Sequence, residues 1–176
     1  MRTSVIIIVL LAITVIAPLA AQQQTQLELP EYTLEQRWAR ASSQLAVSWV
    51  VAISYAKSVG KTSEQYGDYC AKFFATSWGE PGSGSTKIIR GLRRNYLMFS
   101  DSEFEVIEFS EVSTTARFNR PWLKYFGEDQ KWFGVTLEEY EACFRVFNQR
   151  LAEYLDLEYK EKIKDNWLYL TVTKKK

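Results

Sequence analysis

The chain has 176 residues, of which 47% are hydrophobic and 24% charged, enough for one domain with a real core. Its 22 basic and 21 acidic residues nearly balance, which excludes a general nucleic-acid binder, since that needs a basic surplus. It contains no histidine, which excludes Ser-His-Asp and Cys-His catalysis and histidine-bearing zinc sites.

Residues 1–21 read as a cleavable signal peptide. Arg2 gives a positive start, Val5–Ile16 is apolar apart from Thr14, and Pro18 breaks any helix. Leu19 and Ala21 fit an imperfect small-residue cleavage site, so the mature chain is expected to begin at Gln22. The apolar run is shorter than the roughly 20 residues that span a bilayer, so no stable membrane insertion is expected after cleavage. The protein is therefore expected to be exported, periplasmic or extracellular. Residues 22–31 read as a flexible lead, 32–173 as one α+β domain and 174–176 as a basic tail.

Thr33 with Gln36 reads as a capping box opening a helix to about Ser58, stopped at Gly60. Leu45–Ala56 is so uniformly apolar or small that burial on most sides is expected. Thr62 with Gln65 opens a second helix, ending near Gly79 and expected antiparallel to the first. Its inward face is read as Tyr66, Tyr69, Cys70, Phe73, Phe74 and Ser77.

Residues 79–85 form a Gly-rich loop. Gly79 and Gly84 have the separation of a phosphate-binding loop, but Ser85 stands where the lysine belongs and no strand precedes it, so nucleotide binding is not expected. Ser85 is read as the cap of a third helix, with Ile88, Ile89, Leu92 and Tyr96 inward and Lys87, Arg90, Arg93 and Arg94 outward. That cationic face either holds an anion or is a solvated face paired with nearby acids.

Phe104–Phe109 and Thr114–Asn119 read as a strand hairpin, followed by a short helix at Pro121–Phe126 and a loop to Gly134. Thr136 with Glu139 is the clearest capping box, opening a helix to about Leu155 with the stripe Leu137, Tyr140, Phe144, Phe147, Leu151 and Tyr154. A second hairpin follows, turning at Asp165-Asn166. The expected fold is α+β: an antiparallel sheet of about four strands, made of two hairpins, packed against four main helices. The acidic first strand and Lys160–Lys164 are expected to be neighbours that join the hairpins.

Gly134-Val135-Thr136-Leu137-Glu138-Glu139-Tyr140, with Glu158-Tyr159-Lys160 and Trp167-Leu168-Tyr169, resembles the C-terminal half of the L-2-amino-thiazoline-4-carboxylic acid hydrolase-like group. Ala56-Lys57-Ser58-Val59-Gly60 and Tyr66-Gly67 are similar to its helical half. More loosely, the element order is similar to that of 4-vinyl-reductase-like small-molecule-binding domains, over roughly residues 33–173. The resemblance implies the fold class alone. With no histidine, and no cysteine near the second hairpin, no catalytic residue carries over.

The functional expectation is an exported, non-catalytic domain that binds a small apolar or anionic ligand, or a protein partner of unknown kind. Trp78, Tyr96, Trp122 and Trp132 fall near element ends, where pocket mouths form, and Arg90, Arg94 or Arg120 could grip an anion. The alternatives are a hydrolase acting on a small amide-like substrate through carboxylate or lysine chemistry, with Glu108, Glu138 and Asp129 as acids, and a structural cell-envelope protein with Trp132 and Phe133 as a contact patch. No cofactor or metal is expected. Cys70 and Cys143 are either two buried thiols or one bridge between helices.

Overall fold

The computed structural model describes residues 31–175. The expected signal peptide 1–21, nearly all of the lead 22–31 and the last lysine of the tail lie outside the described residues.

All three capping boxes form. Helices α1 (Leu34–Ser58), α2 (Ser63–Trp78) and α4 (Leu137–Tyr154) open on Thr33, Thr62 and Thr136, each with reciprocal hydrogen bonds to the residue three places on. Helix α3 (Ser85–Tyr96) differs from expectation. Its N-cap is Gly84, and the Ser85 hydroxyl lies 2.9 Å from that of Thr114 in the sheet, a buried contact that competes with capping.

The sheet is antiparallel and four-stranded: β1 (Phe104–Phe109), β2 (Ser113–Asn119), β5 (Leu157–Lys164) and β6 (Trp167–Lys174), in the order β1-β2-β6-β5. Two hairpins and four helices were expected and are found. The expected join between them is wrong. The acidic strand β1 and the lysine-bearing β5 lie at opposite edges, and β2 pairs with β6, with Ala116 opposite Leu170 and Phe118 opposite Leu168. The strands with clean buried alternation take the centre, because they offer one apolar face, while charged strands can face water at the edges. A two-residue strand pair joins β3 (Lys131–Trp132), in the stretch read as loop, to β4 (Val135–Thr136), which ends on the cap of α4.

Helix α2 makes its main contact with α4, not with α1. Its buried side is the small one, Ser63, Gly67, Cys70, Ala71 and Ala75, ending in Trp78. Tyr69, Phe73 and Phe74, read as inward, are exposed. The reason is steric: at Gly67 the α4 backbone at Cys143 occupies the space a Cβ would need, so only small residues fit the seam. Helix α1 is likewise not buried on most sides. Its fully buried residues are Ser42, Ala46, Val50, Ile53 and Ala56, with Leu45 and Trp49 partly covered, while Val51 and Tyr55 face solvent, because α1 packs on one side only.

Two polar fasteners hold α1. Near its start, Ser42 Oγ donates to Met98 O at 2.7 Å and accepts from Ser100 N at 3.1 Å, and Trp38 Nε1 donates to the same carbonyl at 3.1 Å. Near its end, Lys57 Nζ donates to Gly134 O at 2.9 Å and pairs with Glu139 at 2.6 Å. Both cysteines are free and buried. Burial pushes the Cys143 thiol up to about 12, and the Cys70 thiol is also raised, so both stay protonated and unreactive as they stand.

Candidate functional site

The four helices enclose a cleft of about 300 Å³. Leu45 and Trp49 come from α1, Phe74 and Trp78 from α2, Leu92 and Tyr96 from α3, and Phe144 and Phe147 from α4, with Met98 and Phe99 closing the end. Its rings are tied together: Trp49 lies 4.8 Å from Phe144 and 6.5 Å from Phe147, and Trp78 lies 6.1 Å from Phe147, in tilted or edge-on arrangements that favour aromatic packing. Trp78 can sit there because Gly91 has no Cβ; one would overlap the indole ring. Larger grooves exist, including one of about 790 Å³ beside Tyr55, Val59 and Tyr69, but they are broad and open to solvent.

One polar group is built into this apolar wall. Asn148 is buried on α4, and its Nδ2 faces the hydroxyls of Tyr159 at 3.3 Å and Tyr96 at 3.5 Å. Tyr159 in turn donates to Glu161 Oε2 at 2.6 Å. Burial raises the Glu161 carboxyl above its ordinary value, against the pull of the Tyr159 hydrogen bond and the Arg145 charge, and the nearby Glu141 charge adds to the rise. Burial also raises Tyr96 and Tyr159, so both hydroxyls stay neutral; each accepts from Asn148, and Tyr159 donates to Glu161. The chain Asn148–Tyr159–Glu161 therefore fixes the amide from behind.

Of the residues named from sequence, Trp78, Arg94 and Tyr96 meet at this cleft, with Arg94 exposed at its rim. Arg90 and Lys87 lie in an adjoining shallow groove with Ser77, Trp78 and Arg94. The other three are elsewhere. Trp122 is a core residue, 6.2 Å from Tyr96 and 6.0 Å from Tyr140. Arg120 is not available for a ligand, since its Nε donates to Glu141 at 2.7 Å and both side chains are 10% exposed. Trp122 Nε1 donates to the same carboxylate oxygen at 3.0 Å. Trp132 stacks on Tyr125 at 5.0 Å and next to Phe133 at 5.7 Å, away from the cleft.

Sequence reasoning missed Trp49, Phe147 and above all Asn148. A signal was present: Asn148 follows Phe147 on the buried stripe of α4, and an amide there must find partners or a ligand. The acids named for hydrolysis, Glu108, Asp129 and Glu138, are all exposed and none lines the cleft. Comparison with protein-family models, curated proteins and solved structures gives no match.

Proposed function

We propose that this protein is an exported, non-catalytic domain that binds a small, aromatic or otherwise apolar ligand bearing one anionic group. The observation that carries this reading is Asn148, a fixed amide in an otherwise aromatic cleft. Its nitrogen is held by two tyrosine hydroxyls, which leaves the carbonyl oxygen for a guest. Mostly apolar lining with a few convergent polar groups is what small-ligand sites offer, and about 300 Å³ suits a molecule of about one or two rings. Arg94 at the rim matches a carboxylate or phosphate. The likeness to the amino-thiazoline-carboxylate hydrolase-like and 4-vinyl-reductase-like domains belongs to this reading, and so does export, argued from Arg2, Val5–Ile16 and Pro18.

A hydrolase has one observation in its favour, the raised carboxyl of Glu161 close to the charge of Glu141. Glu161 reaches the cleft only through Tyr159 and Asn148, so it is better suited to fixing the amide than to touching a substrate. We therefore take binding over catalysis.

Trp49 and Trp78 are built-in reporters. Titration with 6-hydroxy-2-naphthoate, whose hydroxyl can donate to the Asn148 carbonyl oxygen, should change their emission saturably, and Asn148→Leu should weaken the binding about tenfold, the worth of one lost hydrogen bond. Native mass spectrometry of protein from its own cells should show an adduct of defined mass. A bare mass together with no saturable response to aromatic carboxylates would end the ligand-binding reading.

A further inference from the structure

Helix α3 carries Lys87, Arg90, Arg93 and Arg94 on its exposed side and no acidic residue. Among the described residues none of the four makes an ion pair, as is also true of Lys160, Lys162 and Lys164 of β5; but those lysines alternate with Glu158 and Glu161 along their strand, whereas α3 has no acidic residue among its four cations. Like charges three and four residues apart repel along a helix, so the arrangement works against the isolated fold. The four cations are therefore not a face paired with nearby acids.

Apolar rings adjoin these cations. Ser77 and Trp78 of α2 share a groove with Lys87, Arg90 and Arg94. One turn back on the same outward side of α2 stand Phe73, 69% exposed, and Phe74, 43% exposed, and Met98 is 47% exposed at the cleft rim. We propose that the exposed side of α3, with Phe73 and Phe74 beside it, docks on an anionic lipid surface. A negatively charged bilayer supplies phosphates for the cations, and its interfacial zone takes aromatic rings. A soluble anion would use the arginines and leave the rings without a role. A single-stranded nucleic acid stacks successive bases on parallel ring faces, whereas Phe73 and Phe74 lie edge to face at 5.0 Å and 86°, with the edge of one against a face of the other. The contact is superficial, since among the described residues no helix is long and apolar enough to cross a membrane. It shares Arg94 and Phe74 with the rim of the cleft but does not require the cleft to hold a ligand.

The test is co-sedimentation of the full chain with vesicles of phosphatidylcholine alone and of phosphatidylcholine with roughly a third phosphatidylglycerol. Binding to the anionic vesicles should be at least about tenfold tighter, and it should fall as salt rises from about 0.05 to 0.5 M. Arg2 and the amino terminus also favour anionic vesicles, so the α3 share is read from the charge variants, which leave residues 1–21 unchanged. Lys87→Glu/Arg90→Glu/Arg93→Glu should abolish the difference, and the milder Lys87→Gln/Arg90→Gln/Arg93→Gln should reduce it. Phe73→Ser should weaken binding without removing its salt dependence. Arg94 and Phe74 are left intact because they line the cleft, and far-UV circular dichroism with the urea midpoint serves as the control for folding. Equal binding to both vesicle types, charge variants that bind like the parent, or tighter binding of a single-stranded oligonucleotide would each overturn the proposal.

Discussion

Gly67 of α2 lies directly against the backbone carbonyl of Cys143 of α4, with no room between them for a methyl group. This crossing sets the spacing of the two helices that carry Trp78 and Asn148, and so the width of the cleft. Gly67→Ala should gain up to about 1 kcal/mol in helix propensity yet destabilise overall, since overpacking a tight seam costs about 1–3 kcal/mol. A lower urea midpoint, with an altered Trp49 and Trp78 emission maximum, is the expected result. An unchanged or higher midpoint would show that the seam relaxes easily.

Local structure was legible where it rests on neighbours in sequence. Thr33, Thr62 and Thr136 each announce a helix through a residue three places on, and all three boxes form. The face that α2 buries was not legible by the same logic. Hydrophobicity ranks Phe73 and Phe74 above Ala71 and Ala75, but the close approach of α4 selects for smallness, a long-range condition. Charge matching likewise suggested that the glutamates of β1 meet the lysines of β5. Edge position decided otherwise, because central strands must be covered and charged ones need not be. The cleft was half legible: Trp78, Arg94 and Tyr96 were named, but its far wall comes from α1 and α4, whose placement no local pattern encodes.

Helix α1 roofs the cleft and should be released at its start by a single hydroxyl. Ser42→Ala removes the donor to Met98 O and the acceptor for Ser100 N, both part-buried. Trp38 still bonds Met98 O, so the main cost is the orphaned Ser100 amide, about 1–3 kcal/mol. Amide exchange at Ser100 and through the first half of α1 should quicken, while the sheet amides keep their protection. Uniform acceleration across the chain would mean that α1 and the rest open together.

Glu141 accepts from Arg120 and from Trp122, and the ion pair is largely removed from water. Breaking such a pair from one side leaves an uncompensated buried charge, at a cost of about 3–5 kcal/mol. Glu141→Leu should therefore be severely destabilising, and adding Arg120→Leu should recover a large part of the loss. Urea unfolding of the two single variants and the double variant gives the coupling. Additive losses would mean that the pair is solvated and contributes little.

Glu161 gives stability a pH dependence of definite sign. Burial raises its folded carboxyl above the ordinary glutamate value of 4.5, so between those two values the folded chain binds more protons than the unfolded one. Its contribution is therefore full below pH 4.5 and is lost as pH rises through the folded value. Other carboxylates work in the opposite direction. Glu139 is depressed, because the Lys57 ammonium and the Thr136 cap outweigh its burial, so its contribution is lost as pH falls. The Glu161 share must be isolated by difference. Glu161→Gln keeps an acceptor for Tyr159 and removes the titration. Subtracting its urea-derived stability from the parent's, from pH 4 to 8 in about one-unit steps, should give a difference that moves against the parent as pH rises. A difference flat across that range would mean that Glu161 stays ionised in the fold, and that Tyr159 and Asn148 are anchored to a charge.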